Sequence, residues 1–354
     1  MTDVAVVGFA QAPNVRETQG TTNGVEMLVP LLQEVFTETG LTKEDIGFWC
    51  SGSSDYLAGR AFSFIAAVDA LGASPPINES HVEMDAAWAL YEAWLKIRTG
   101  EVDTALVYGF GKSSAGDLRR TLALQLDPYS LAPLWPDSVS IAGLQARTGL
   151  DSGRWTERDM AEVVARSRAN AAGRPRAQLS GEVSASDLLD EPYLADPLRK
   201  HDCAPITDGA SVVVLAAGDR ARDIHAAPAW ISGIEHRIES GQLGARDLDR
   251  SPSTRSAAHA AGTDGVTTAE LHAPFSHQEI LLREEIGLGP DVRVNPSGGA
   301  LAGNPMFSAG LSRIGAAARR VMDGQDERVL AHATSGPALQ QNLVCVLDSA
   351  ARRN

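Results

Sequence analysis

Three short stretches near the C-terminus decide how this chain is read: Glu270-Leu271-His272-Ala273-Pro274-Phe275-Ser276-His277, then Asn295-Pro296-Ser297-Gly298-Gly299, then Gly303-Asn304-Pro305. A histidine leaving a strand, followed roughly 20 residues on by a glycine-rich turn that opens a helix, is how an α/β protein aims donors at a carbonyl oxygen. The flanks agree with that reading. A helix is expected over 306–321, then Gly324, a strand over 329–333 and a last strand over Val344–Leu347.

Further out, short β-branched runs alternate with helical ones, the mark of α/β layers. Strands are expected at Val4–Val7, Ala105–Tyr108, Val212–Leu215 and Trp230–Ile234, and around Ala269–Leu271. Val25, Leu28, Val29, Leu32 and Phe36 would share one face of a helix. The run 86–98 is apolar nearly all round through Ala93, so it reads as a helix buried between layers. Thr156 with Asp159 opens a helix in the manner of a capping box, and Gly173-Arg174-Pro175 stops it.

The order of elements repeats at an offset near 225 residues, weakly in letters and better in pattern. Gly40 to Ser54 runs turn, polar stretch, strand and exit loop, and residues 262–277 follow the same course. Helix 86–98, Gly100 and strand 105–108 correspond to helix 306–321, Gly324 and strand 329–333. Residues 113–200 have no counterpart. The expected division is therefore 1–112 plus 201–220 as one half, 113–200 as an inserted loop domain, and 226–354 as the second half.

With 44% hydrophobic and 21% charged residues, the chain is an ordinary globular one, long enough for a large core. A net charge of -14 speaks against nucleic acid and anionic membranes as partners. Cys50, Cys203 and Cys345 are too few and too scattered for a disulfide framework or a metal site, and suit a reducing compartment. Met1-Thr2-Asp3 leads straight into a strand, and no apolar run reaches a membrane-spanning length. A cytoplasmic location is the expectation.

The three opening motifs resemble the C-terminal half of the thiolase superfamily, whose members read NEAF or HDCF, then NPSGG, then GHP. Ala195-Asp196-Pro197-Leu198-Arg199 with Asp202-Cys203-Ala204-Pro205-Ile206-Thr207-Asp208-Gly209-Ala210 resembles the "ADPLR…DCCPxSDGAA" segment of the sterol-carrier-protein-type thiolases and the thiolase-like lipid-transfer proteins of actinobacteria. Arg174-Pro175-Arg176-Ala177-Gln178 is similar to their "NPRAQ". The resemblance implies a duplicated five-layered αβαβα thiolase fold with an inserted loop domain. It also implies a dimer, homomeric or with a thiolase-like paralogue, along Tyr56-Leu57-Ala58-Gly59-Arg60-Ala61-Phe62.

The chain departs from that family where the chemistry lies. Counted without gaps, the position of the nucleophilic cysteine falls on Glu83, in Val82-Glu83-Met84-Asp85. Asn304 replaces the GHP histidine, and Ala333-Thr334-Ser335-Gly336-Pro337 carries no thiol. Only His272 survives, so acyl-enzyme formation on a cysteine is not expected. A retro-aldol cleavage of a β-hydroxyacyl-CoA needs no covalent intermediate, only a base and donors for the thioester enolate.

The resemblance brings the candidates for that work to one pocket: His272, His277, Asp85 and Glu83 for proton transfer, with Asn304, Gly299, Ser335 and Gly336 against the substrate. Some thiolase-like lipid-transfer proteins of steroid-degrading bacteria are such aldolases and work with an OB-fold, zinc-ribbon-like partner protein. In them tyrosines carry much of the proton transfer, whereas none of the five here (56, 91, 108, 129, 193) lies in the C-terminal motifs. The CoA thioester would be substrate, with no cofactor and no metal. The alternative is a non-catalytic subunit supporting an active paralogue.

Structural readings compete at each position. Glu83 and Asp85 precede a helix, where its dipole favours acids; Asn304 suits a helix N-cap; the glycines would be kept for the turn alone. The arginines of 158–176 would contact CoA phosphates or form a solvated face. Gly109-Phe110-Gly111-Lys112 lacks the spacing of a phosphate loop.

Overall fold

The computed structural model describes residues 2–19, 24–55, 63–72 and 76–351. The expected dimer segment Tyr56–Phe62 lies outside the described residues. The strands, in chain order, are β1 (Val4–Gln11), β2 (Phe48–Gly52), β3 (Glu79–Val82), β4 (Thr104–Gly111), β5 (Tyr193–Ala195), β6 (Leu198–Arg199) and β7 (Ile206–Thr207). They continue with β8 (Gly209–Ala217), β9 (Ala229–Ile238), β10 (Thr268–Glu270), β11 (Arg293–Val294), β12 (Asn304–Pro305), β13 (Arg328–Ser335) and β14 (Gln341–Asp348).

Two five-stranded halves repeat one topology, β3-β2-β4-β8-β1 and β11-β10-β13-β14-β9. In each, the first three strands run parallel and the last two pairings are antiparallel, so that the fourth strand alone is reversed. A short antiparallel contact, Ala5 with Trp230 and Val6 with Ala229, joins β1 to β9 and makes the halves continuous. The expected repeat is therefore present in space. β1 starts at Val4 and its counterpart β9 at Ala229; β4 starts at Thr104 and its counterpart β13 at Arg328.

The helices Ala86–Arg98 and Ala309–Met322 lie between the two halves, sharing one core with the inner faces of β1, β2, β4, β8, β9, β13 and β14. Small side chains permit this double burial. Ala86, Ala87, Ala89 and Ala93 in the first helix and Ala317 and Ala318 in the second are buried, so helix and sheets approach closely. Leu28–Thr39 and Ser63–Leu71 cover one outer face, and Pro252–Ala261 and Ser276–Ile286 the other. This is the five-layered arrangement the sequence resemblance implied.

One helical face differs from expectation. The helix begins at Leu28, after a 3-10 turn over Gly24–Met27, and buries Leu28, Leu31, Leu32, Val35 and Thr39, while Val29 stands 40% exposed. The tighter turn shifts the register of the stripe by part of a turn.

The segment 113–200 contributes the helices Ser138–Asp151 and Glu157–Asn170, the second opened by the Thr156–Asp159 capping box. Ala142, Ala146, Trp155 and Met160 pack into the same cluster as Leu281 and Leu282 of the second half, so the insertion shares its core with that half. Among the described residues no helix is long and apolar enough to cross a membrane, and no group of three or more His, Cys, Asp or Glu is arranged to hold a metal ion.

Candidate functional site

The two central helices point their N-termini at one another, and a single carboxylate holds both. Asp85 Oδ1 accepts from the N–H groups of Ala87 (2.9 Å) and Leu311 (3.1 Å), and Oδ2 accepts from Gly310 N–H (2.8 Å). Gly310 is required there by space, because a Cβ would stand 2.6 Å from both Asp85 Oδ1 and the Ala333 Cβ. Asp85 is fully buried, and burial raises its carboxyl above the usual range while the three backbone bonds pull it back. The helix-start reading of Asp85 is thus the geometry observed, extended to a second helix.

Beside this junction stand His272 and Asn304. Thr334 N–H donates to His272 Nδ1 over 3.4 Å, so the ring proton sits on Nε2, which donates to Asn304 Oδ1 at 3.0 Å. Burial drives His272 down to about 4, despite the bond to Asn304, so the ring is neutral at physiological pH. Both ring nitrogens are therefore engaged. The Asn304 amide nitrogen makes no hydrogen bond among the described residues and is the spare donor of the pair. Asn304 is not a helix N-cap. It lies in β12 opposite Ile206 of β7, and the cap of the following helix is Ser308, three residues beyond Pro305. In that loop Phe307 adopts a left-handed φ of 65°, a strained conformation for a bulky side chain.

The glycine-rich turn is bolted down from three sides. Asn295 Oδ1 accepts from Leu271 N–H (2.6 Å), and its amide donates to Glu279 Oε2 (2.7 Å), which also pairs with Arg166. Ser297 donates through N–H (3.0 Å) and Oγ (2.6 Å) to the two oxygens of buried Glu270, and Arg313 donates to Ser297 Oγ at 2.9 Å. Ser167 of the insertion donates to the Gly298 carbonyl, and Asn170 to that of Asn295 (2.9 Å). Gly298, at φ 97°, lies so close to the insertion that a Cβ would come within 2.9 Å of the Ala171 Cβ. The Gly299 N–H is turned inward to Ser297 Oγ (3.3 Å) rather than offered to a ligand.

The remaining predicted residues are spread wider. Ser335 and Gly336 follow Thr334 at the partly open rim. His277 is completely buried; its Nε2 lies 3.1 Å from Gln145 Oε1 in the insertion, and burial drives it down to about 3. Glu83 is half exposed, lies 3.4 Å from His81 and accepts from Asp55 N–H at 3.2 Å. The structure brings Asp85, His272, Asn304 and the start of the Ser335 loop together, and leaves His277 and Glu83 on other partners.

No thiol joins them. Cys50 lies in β2 with Glu92 as hydrogen-bond partner, Cys203 bridges to Phe275, and Cys345 lies in β14. Burial pushes all three up, Cys203 to about 12.

Sequence reasoning missed Glu270, Thr334 and Arg313. Glu270 had a signal, standing two residues before His272 and so on the same face of an extended strand. Arg313 had one too: a charge inside the run Leu311–Ala318, most of whose side chains are small or apolar. Thr334 acts through its backbone, which no side-chain letter reveals.

No protein-family profile matches the chain. It is 28% identical over 290 residues to an acetyl-CoA acetyltransferase of Methanothermobacter thermautotrophicus, covering 71% of this chain and 75% of that protein. Two further relatives match over shorter stretches. The benzoylsuccinyl-CoA thiolase subunit BbsB of Thauera aromatica is 26% identical over 191 residues, covering 47% of this chain and 50% of its own length. The 17-hydroxy-3-oxo-4-pregnene-20-carboxyl-CoA lyase of Mycobacterium tuberculosis is 29% identical over 150 residues, 39% of each chain.

In fold, the chain superposes on the acetyl-CoA acetyltransferase of Bacillus anthracis with a TM-score of 0.80, covering 99% of both chains at 16% identity. It superposes on an Ltp2–ChsH2(DUF35) aldolase with a TM-score of 0.78, covering 98% of both at 19% identity. The chain has the thiolase fold, and its sequence is similar to thiolases and to a thiolase-like lyase.

Proposed function

We propose that this protein acts in the retro-aldol cleavage of a β-hydroxyacyl-CoA from steroid or lipid side chains, without a cysteine nucleophile. The carrying observation is the pairing at the junction of the two central helices: a neutral His272 holds the Asn304 carbonyl and leaves its amide N–H as a spare donor, while Cys50 and Cys345 are buried and Cys203 half-buried elsewhere, all with raised pKa. A thiolate is the species that attacks a thioester, and burial withholds it. In the proposed reaction a base takes the β-hydroxyl proton as the carbonyl of the product forms. The Cα–Cβ bond breaks, and its electron pair passes to the thioester as an enolate. The Asn304 N–H, oriented by His272, holds the enolate oxygen, and a proton returns to the α-carbon. Asp85, whose carboxyl is raised by burial, is the acid–base group of the chain nearest that junction. The likeness to an Ltp2–ChsH2(DUF35) aldolase and to a steroid carboxyl-CoA lyase supports this class and an OB-fold, zinc-ribbon-like partner.

A second reading has its own observation. His277 and Glu83 are committed to Gln145 and His81, and Asp85 to three backbone groups, which leaves no uncommitted base among the named residues. That favours a non-catalytic subunit supporting an active paralogue. The decisive experiment purifies the chain alone, with a small OB-fold partner, and with a thiolase-like paralogue, then follows release of the shortened acyl-CoA from a β-hydroxyacyl-CoA. Turnover without the paralogue, lost in Asn304→Ala, supports the aldolase. Turnover only with the paralogue, indifferent to Asn304→Ala, supports the subunit.

A further inference from the structure

Beside the glycine-rich turn lies a cavity of about 350 Å³ between β1, the second central helix and the Arg174–Ala177 loop. Its wall includes Arg313, whose side chain is only 4% exposed. Of this guanidinium, Nη1 donates to Ser297 Oγ at 2.9 Å and stands 3.7 Å from Glu270, while Nε is buried with no hydrogen-bond partner. Asn14, 6% exposed, lines the same cavity and leaves its carbonyl oxygen unpartnered. A buried, under-bonded guanidinium is costly, and so is a buried amide without partners.

The neighbouring charges decide what would fit. Arg319 is paired with Glu38, Arg320 with Asp326 (2.5 Å) and Arg176 with Glu34 (3.2 Å), so these three are neutralised. Both oxygens of Glu270 are taken by Ser297 and its charge offsets that of Arg313 at 3.7 Å, so Arg313 brings a spare donor, its unpartnered Nε, rather than a net charge; Asp323 also lines the space. Arg174, exposed at the rim, donates from Nε to the Asn170 carbonyl (3.0 Å) and, among the described residues, has no carboxylate within ion-pair distance. Two guanidiniums with spare donors therefore face one space, and that space would hold about ten waters' volume, far more than one buried water needs. Fork-shaped donors of this kind recognise planar or tetrahedral oxyanions.

We propose that this cavity is a binding site for a small oxyanion, a carboxylate or phosphate head, seated on Arg313 with Arg174 closing over it and Asn14 taking a hydrogen bond from a hydroxyl on the ligand. It rests on binding geometry alone and is independent of the reaction proposed above. The test is thermal-shift and calorimetric titration of the full chain with inorganic phosphate and with succinate, against sodium chloride at matched ionic strength. Saturable stabilisation by one probe or both is expected, and which probe acts separates the phosphate from the carboxylate source. Arg174→Ala, at the exposed rim, should weaken the affinity about tenfold, the scale of one charge-assisted pair. Asn14→Ala reports the inner wall, and Arg313→Gln should abolish the effect where it folds. The proposal is overturned if neither probe gives a saturable shift in the parent, or if the shift is undiminished in both Arg174→Ala and Asn14→Ala.

Discussion

The two halves of this molecule end their parallel strands in the same place and furnish those ends differently. In the first half, β2 and β3 gather Ser51, His81 and Glu83: Ser51 Oγ lies 2.8 Å from His81 Nδ1, and Glu83 lies 3.4 Å from Nε2. The His81 ring stacks on Phe64 of an outer helix, at 4.9 Å between centroids. In the second half, β10 and the loops after it gather Glu270, which pairs with Arg313 of the second central helix, His272 with Asn304, and Asn295, which ties the turn to the outer helix through Glu279. A duplicated scaffold gives each half an exit where backbone groups and side chains can be aimed. Only the exit pinned by the insertion and turned toward the central helices sets donors beside two helix N-termini. The first half lends that site one group, Asp85.

The largest effect expected from breaking this asymmetry is on folding. Asp85→Ala removes the acceptor for three buried N–H groups at the starts of both central helices, and each orphaned donor costs about 1–3 kcal/mol. A loss of about 4 kcal/mol or more in urea unfolding is expected, with Asp85→Asn intermediate because it keeps one acceptor oxygen. A loss under about 1 kcal/mol would mean that the halves are not clamped through this residue.

Next come His272 and Asn304, which act as one unit. Each alanine variant should lower kcat of the active assembly ~10²- to 10³-fold, as removal of one oxyanion donor does, and the double variant should cost little more than either alone. Cys50→Ala, Cys203→Ala and Cys345→Ala should leave turnover unchanged within about twofold, since a thiol outside the site touches no transition state. Multiplicative losses in the double variant would separate the two residues. Inactivation by thiol alkylation would restore a cysteine mechanism.

How much of this was legible in the letters differs between fold and site. The strands around Val212 and Val344 and the buried helix at Ala86 are visible because β-branched runs and all-round apolar stretches are forced inward whatever surrounds them. The repeat shows in element order, since each half must bury the same faces. The site was legible only as far as a residue's role follows from its own position in the chain. His272 and Asn304 lie within hydrogen-bond distance of one another, at 3.0 Å. His277 did not reach them, because the loop after His272 enters a helix at Ser276 and carries the ring toward Gln145 of the insertion, a partner 132 residues away. Asn304 likewise pairs with Ile206, across a chain separation no local capping rule spans.

That misdirected histidine supplies a smaller, pH-dependent prediction. His277 falls from an ordinary 6.5 to about 3 in the folded protein because it is buried. Between those values the unfolded chain takes up a proton that the folded one refuses, so stability drops as pH falls below about 6.5, by up to about 1.4 kcal/mol per unit. His272 and His332 carry the same sign, whereas Asp85 and Glu270, raised by burial, carry the opposite one. The variant difference is therefore the clean quantity. From pH 7.5 to 5.0, His277→Gln should lose about 2 kcal/mol less than the parent. Equal losses would place His277 in contact with solvent.

The smallest effect belongs to Glu83, where an ungapped count sets the family's nucleophile. Its carboxylate is half exposed, accepts one loop N–H from Asp55 and stands at 3.4 Å from a histidine on the outer side of the sheet. Ion pairs in such positions contribute about 0–1 kcal/mol, and Glu83→Gln keeps the acceptor for Asp55. Stability should change by less than about 0.5 kcal/mol and turnover by less than about twofold, against the large losses at Asp85 two residues on. The contrast discriminates because the two acids stand two residues apart at the start of one helix. If Glu83→Gln cost a hundredfold in rate while Asp85→Asn did not, the first half would supply the base. The inward-facing exit of the second half would then be only part of the reaction centre.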